Sequence, residues 1–293
     1  MEMQWPLILF TTFIAWSGGL FGMQGVAALA GEGKRAQMPA LIASVVLLAV
    51  GGIAVFFHLQ HWERIFNGFG NPTSGITQEL VCIIVVAVLM VIAFALLRRA
   101  GEDDNAALPK WLAVCMIVAA ALLVLVTGHS YLMESRPAWD SWFGPLSLLG
   151  AACAAGSLTF AVIEAVRSED AGHGVSMSAL VGSVVNVCTT VAYLAFMQMS
   201  TTAYTNVGYH FDSTHPNAGL TDASALAPFA SGSVAMAIVA IIAVLIPVAA
   251  AIVARRNGNW KVWGAVGAAG AVVGAIALRM VFYSVGGSMF LLF

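Results

Sequence analysis

The residues best suited to chemistry gather in one short polar stretch of an otherwise apolar chain. The segment 57–80, FHLQHWERIFNGFGNPTSGITQEL, contains His58, His61, Arg64 and Glu79. A neutral imidazole can accept a proton near neutral pH, and a carboxylate can pass that proton on to water. A nearby arginine keeps such a carboxylate ionised. The types and spacing of these four residues therefore indicate proton transfer. A cluster that only solvates a helix end would have the same composition.

Composition places this stretch in a membrane protein. The chain has 293 residues, of which 60% are hydrophobic and 9% are charged. Soluble domains are roughly 45–50% apolar and roughly 25% charged, so this chain has too few charges to cover a soluble surface. The net charge of −2 gives no reason to expect a nucleic-acid partner. The four cysteines occur singly in apolar runs without metal-ligand spacing, so we expect no metal and no iron–sulfur cluster in this chain.

Eight apolar runs determine the predicted fold class, an all-α integral membrane protein. About 20 apolar residues cross roughly 30 Å of hydrocarbon, and lipid requires every backbone polar group to be satisfied within the segment, which favours helices. We expect one polytopic domain over 1–293, with two four-helix halves. The predicted spans are about 7–30, 40–59, 79–97, 111–131, 144–166, 178–199, 229–253 and 262–284.

The basic residues predict the orientation of these spans. Loops after the odd-numbered spans hold nine Lys and Arg residues, and loops after the even-numbered spans hold two. Cytoplasmic loops carry an excess of Lys and Arg, so the odd-numbered loops are predicted to be cytoplasmic. Both chain termini are then extracytoplasmic.

This topology brings unusual residues from four spans to one depth at the outer face. His58 ends the second span, Glu79 begins the third, and His129 and Tyr131 end the fourth. Arg279 and Tyr283 lie toward the outer end of the eighth. Ionisable residues within spans are costly and usually face a cavity or a partner. A quinol, which loses two electrons and two protons when it is oxidised, fits a site of this kind.

Each of these residues also has a structural explanation. Glu79 can be a charge favoured near a helix N-terminus, Arg279 can extend its charge to the interface, and His129 can be an interfacial residue. His58 and His129 could in principle hold one haem. The sequence has no second histidine pair at inner depth, so we expect no haem.

Other classes of protein fit the sequence less well. A secondary transporter would place its site near the bilayer midplane, where Ser17 and Asn186 are the main polar candidates. A purely structural anchor would not need ionisable residues from four spans at one depth.

The outer loops are predicted to bind a partner. The loop 200–228 has no Lys or Arg, and the segment ESRPAWDSW lies between the fourth and fifth spans. Long loops without regular structure are usually functional, and interfaces concentrate their energy in a few aromatic or arginine residues. Trp139 and Trp142 are therefore candidate anchors for a partner subunit.

Four segments resemble the membrane anchors of dimethyl sulfoxide reductases, the DmsC family. HLQHWERIFN followed by SGITQE resembles the family's His–Arg–Asn motif and its later glutamate. QWPLILFTTF, YLMESRPAWDSWFGPL and LRMVFYSVGGSM are similar to its opening, outer-loop and closing segments.

This resemblance implies a haem-free, eight-helix anchor that oxidises menaquinol in a prokaryotic cytoplasmic (inner) membrane. Electrons would pass to a ferredoxin-like four-cluster iron–sulfur subunit and then to a molybdopterin catalytic subunit, in anaerobic respiration. Gln60 and Trp62 replace a glycine and a proline of the family motif. A polysulfide-reductase-type anchor with another terminal substrate therefore stays an alternative.

The resemblance also assigns residues. His58 matches the family's quinol-site histidine and Glu79 its functionally important glutamate, so we assign the proton chemistry to these two. The predicted quinol-binding set is His58, His61, Arg64, Asn67, Glu79, His129, Tyr131 and Arg279.

Overall fold

Eight long helices make up most of the protein. The computed structural model describes residues 3–58, 67, 69–100, 108–168, 170–205 and 223–288, and no strand occurs within these ranges. All eight helices are long and apolar enough to cross a membrane, which confirms the predicted fold class. They are α1 Trp5–Ala30, α2 Gln37–Phe56, α3 Gly75–Ala100, α4 Lys110–His129, α5 Phe143–Ser168, α6 His173–Ser200, α7 Val234–Asn257 and α8 Trp260–Ser284.

The observed helix ends change the position of one predicted site residue. The apolar pattern predicts that the third span begins at residue 79, whereas α3 begins at Gly75. Glu79 therefore lies in the second turn of the helix and is buried. The second helix ends at Phe56, so His58 lies just beyond it. Apolar runs show where lipid begins, but polar residues such as Thr77 and Gln78 can continue a helix past that point.

The helices pack as two groups of four. In the first group, α1 packs against α2 and α4, and α3 packs against α4 and α2. In the second group, α5 packs against α6 and α8, and α7 packs against α8 and α6. Contacts of α1 with α5 and α8, and of α4 with α5, join the groups. The predicted division into two four-helix halves is therefore seen in the packing.

Glycines allow the closest contact between the halves. A Cβ atom added at Gly19 on α1 would overlap the backbone carbonyl of Ala152 on α5, and one added at Gly156 would overlap the backbone of Gly19. Small residues let helices approach closely in lipid, where the hydrophobic effect does not drive association. The seam between the halves is thus a direct backbone contact of α1 with α5.

Glu32 and Glu164 connect the helices at the opposite end from Glu79. Glu32 follows α1 and accepts hydrogen bonds from the backbone N–H groups of Gly174 and Val175, each at 3.0 Å. Glu164 on α5 accepts one from the N–H of Gly172, also at 3.0 Å. Glu32 thereby satisfies two donors in the first turn of α6, which that helix cannot satisfy internally, and Glu164 satisfies the donor of the residue just before α6. This end of the bundle carries most of the Lys and Arg residues, and we call it the basic end.

Candidate functional site

Glu79 is a buried carboxylate at the end of the bundle opposite the basic end. Its side chain is 8% exposed, and Thr127 on α4 lies beside it. Even so, Glu79 Oε1 and Thr127 Oγ1 have no hydrogen-bond partner of normal geometry in the described part of the chain. Burying a carboxylate oxygen without a partner is costly. The packing of α3 on α4 therefore creates a polar position that is not satisfied internally.

The end of α8 contributes a second pair of polar groups. Arg279 and Tyr283 are four residues apart, which places them on one face of the helix. Arg279 is 4% exposed, and its Cζ lies 5.0 Å from the ring centroid of Phe282 and 5.9 Å from that of Tyr131. Arg279 Nη2 and the Tyr283 hydroxyl also lack hydrogen-bond partners of normal geometry among the described residues, although Tyr131 lies beside the Tyr283 hydroxyl.

Tyr131 connects these two pairs. Its ring meets the ring of Tyr283 edge-on at a centroid distance of 6.4 Å. Burial raises the pKa of Tyr131 well above its ordinary value, and the nearby Tyr283 and Glu79 raise it further. The phenol therefore stays neutral and can both donate and accept a hydrogen bond.

We call Glu79, Thr127, Tyr131, Arg279 and Tyr283 the Glu79–Arg279 cluster. The cluster contains four buried polar atoms, from α3, α4 and α8, that lack a hydrogen-bond partner of normal geometry. Each such atom costs roughly 1–3 kcal/mol, and native proteins rarely leave buried polar groups unsatisfied. The carboxylate can accept hydrogen bonds, and the guanidinium and hydroxyls can donate them. This arrangement suits a small ligand with hydroxyl or carbonyl groups.

A folded-back loop braces the cluster. Trp139 is 7% exposed, and its ring stacks on Phe282 with 4.3 Å between centroids. Its Nε1–H donates to the carbonyl oxygen of Phe282 at 2.8 Å. The prediction that Trp139 anchors a partner is therefore wrong, because the ring is buried against α8 and does not reach the surface. Trp142 is 58% exposed and stays a candidate anchor.

The other predicted site residues lie outside the cluster or outside the described residues. His58 and Asn67 are exposed. His129 is also exposed, and its ring lies 5.4 Å from that of Trp142. His61 and Arg64 lie outside the described residues. Of the predicted set, the structure thus brings Glu79, Tyr131 and Arg279 together.

Two cluster residues were not in the predicted set. Tyr283 lies one helical turn from Arg279, and Thr127 lies one turn before Tyr131. Tyr283 was predicted to lie at the same depth as Arg279 but was not assigned to the quinol-binding set. The four-residue spacing to Tyr131 is the signal that could have identified Thr127, since residues four apart share a helix face. His129 is rotated about 200° from Thr127 on α4, which explains why it faces elsewhere.

An apolar cavity elsewhere in the bundle is separate from this cluster. It has a volume of about 360 Å³ and lies between α1, α4, α5 and α6, with lining that includes Gly22, Ala121 and Val181 but no residue of the cluster. Among the residues that the structure describes, no His, Asp, Glu, Lys or Arg side chain lines this cavity. In the described ranges, no group of three or more His, Cys, Asp or Glu residues could hold a metal ion.

Eight membrane-length helices, with ionisable side chains buried near one end, define a multi-pass helical membrane protein. Within that class the chain belongs to the DMSO reductase anchor subunit (DmsC) family, whose family model matches residues 1–285. The resemblance seen in the motifs is thereby confirmed. A search of curated proteins gave no match. Membership makes this chain the membrane anchor of a DMSO reductase-type complex, together with catalytic and iron–sulfur subunits.

Proposed function

We propose that this anchor oxidises a quinol, menaquinol, at the Glu79–Arg279 cluster in a prokaryotic cytoplasmic membrane. The electrons pass to a ferredoxin-like four-cluster iron–sulfur subunit and then to a molybdopterin catalytic subunit. The observation that carries this proposal is the set of four polar atoms, buried between α3, α4 and α8, that lack a hydrogen-bond partner of normal geometry. In this proposal the quinol is the only redox-active group that the chain binds, without haem or an iron–sulfur cluster.

The cluster residues have complementary roles in this reaction. A quinol hydroxyl donates a hydrogen bond to the Glu79 carboxylate, which takes the proton as electrons leave. The Tyr283 hydroxyl and Arg279 donate hydrogen bonds to quinol oxygen, and these strengthen as charge develops on it.

His58 completes the proton path in this proposal. It is exposed just after α2, so it can exchange protons with water. An imidazole is suited to receive and release a proton near neutral pH. The sequence predicts that His58 takes the first proton and that the carboxylate passes protons to water. Because Glu79 is buried and His58 is exposed, we assign the first proton to Glu79 and the second to His58 instead.

Glu79→Gln tests the proposal, because the amide keeps the size of the side chain but cannot act as a base. Removing a positioned general base costs roughly 10²–10⁴-fold in rate. We expect quinol-dependent turnover of the intact complex to fall by that factor. Turnover with an artificial dye that reduces the catalytic subunit directly should not change.

Glu134→Gln is the matched control, since Glu134 is exposed in the loop after α4. It should keep the wild-type rate with both reductants. His58→Ala should slow only the quinol-dependent reaction. If the Glu79→Gln complex oxidises quinol at the wild-type rate, the cluster is not the site.

A further inference from the structure

The large apolar cavity is a groove on the lipid-facing side of the bundle. Its lining residues Val181 on α6 and Val26 on α1 are exposed, so the groove opens toward the membrane. On α6 it extends from Met177 to Val185, which is about 12 Å along the helix axis. The hydrocarbon layer is roughly 30 Å thick, so the groove covers most of the thickness of one leaflet.

Two cations flank the basic end of this groove. Arg255, in the last turn of α7, is exposed, and its Nη1 lies 3.5 Å from the sulfur of Met177. A thioether is a weak acceptor, so the guanidinium keeps its capacity to bind an anion. Lys110 is exposed at the start of α4. It precedes the groove residues Ile117 and Ala121 by seven and eleven residues, which places all three on one helix face.

We propose that the groove holds one acyl chain of an anionic phospholipid, whose phosphate lies between Lys110 and Arg255. The walls carry no charged side chain and therefore suit a hydrocarbon chain. The two cations at the end of the groove can bind the phosphate of the same lipid molecule. Basic pockets between membrane helices are known to favour anionic headgroups. A cavity of about 360 Å³ is within the roughly 300–1,000 Å³ range of ligand sites.

The charge half of the proposal is tested with Lys110→Gln and Arg255→Gln. The complex is purified in detergent, stripped of lipid and titrated with phosphatidylglycerol or phosphatidylcholine, and bound lipid is counted by native mass spectrometry. A cation near an anionic headgroup contributes about 1 kcal/mol, so each variant should bind phosphatidylglycerol about five-fold more weakly. Arg99→Gln is the matched control, because Arg99 is exposed at the basic end of α3, which does not line the groove.

The groove half of the proposal is tested with Ala121→Phe, which fills the cavity. Val118→Phe on the same helix is its control, since Val118 is exposed and does not line the groove. Ala121→Phe should abolish the preferential binding of phosphatidylglycerol, and Val118→Phe should keep it. Unchanged lipid binding in Ala121→Phe and in the Lys110→Gln/Arg255→Gln double variant would overturn the proposal. An equal loss of lipid binding in the control variants would also overturn it. So would loss of co-purified quinone in Ala121→Phe if both charge variants bind lipid normally.

Discussion

Trp139 and Trp142 are three residues apart and have different surroundings. Trp139 is buried against Phe282 with its indole N–H bonded to the backbone of α8, whereas most of Trp142 is exposed. The sequence shows two similar tryptophans in one outer loop. Only the contacts separate an internal brace from a candidate surface anchor.

We expect Trp139→Ala to destabilise the protein and Trp142→Ala to leave its stability unchanged. Removing a buried aromatic side chain costs about 3–5 kcal/mol, and the ring of Trp139 packs against the helix that carries Arg279. Unfolding of the detergent-purified anchor, followed by circular dichroism, measures both changes. Trp142→Ala should instead reduce co-purification of the iron–sulfur subunit. Normal stability of Trp139→Ala would show that the ring does not brace the cluster.

At the scale of secondary structure, α6 depends on a residue from another helix connection. Its N-terminus begins after Gly172, which has no side chain to cap it. Glu32, from the connection between α1 and α2, supplies both carboxylate oxygens to the first turn. A carboxylate at a helix N-terminus also interacts favourably with the helix dipole. The start of α6 is thus determined by a contact that is distant in sequence.

Glu32→Ala should loosen the first turn of α6. Losing a capping side chain costs about 0.5–2 kcal/mol, and here two N–H groups lose their acceptor. Hydrogen–deuterium exchange of the segment 172–178 should become faster, with less change in Glu32→Gln, which keeps one carbonyl oxygen as an acceptor. Glu134→Ala, which removes an exposed carboxylate at the opposite end, is the control. Exchange at the wild-type rate in Glu32→Ala would contradict the capping role.

At the scale of the whole molecule, the two four-helix halves meet where α1 touches α5. Gly19 and Gly156 have no space for a methyl group, because each would overlap backbone atoms of the other helix. Backbone atoms cannot move aside as a flexible side chain can. The relative position of the halves, and of the cluster residues on α3, α4 and α8, depends on this contact.

Gly19→Ala and Gly156→Ala should therefore separate the halves and lower the unfolding temperature of the anchor. Gly52→Ala on α2 is the matched control, because an added Cβ there meets no atom within 4 Å. In that open position alanine should be neutral or stabilising by up to about 1 kcal/mol. The role of the seam would be refuted by equal unfolding temperatures for all three variants and the wild type.

The orientation of the molecule can be tested separately. The excess of Lys and Arg at one end predicts that the basic end is cytoplasmic and the Glu79–Arg279 cluster lies near the outer surface. Single cysteines introduced at Glu134 and Lys261, which are exposed at opposite ends of the bundle, can be labelled in intact cells. An impermeant maleimide should label the cysteine at position 134 but not the one at position 261. The reverse pattern would place the cluster at the cytoplasmic face.

The number and type of membrane spans could be predicted from the sequence alone. Hydrocarbon thickness sets the length of a span, and backbone hydrogen bonding in lipid requires a helix. The same reasoning brought Glu79, Tyr131 and Arg279 to one depth, and the structure places all three in the cluster.

Only the tertiary structure decided which residues at that depth face one another. Thr127 and His129 are two residues apart on α4, but Thr127 lies beside Glu79 and His129 lies against Trp142 on an exposed side. The position of a residue along a helix follows from counting residues. Its direction around the axis depends on how that helix is rotated against its neighbours, and this rotation is set by contacts between distant residues, such as those of Gly19 with α5 and Trp139 with α8.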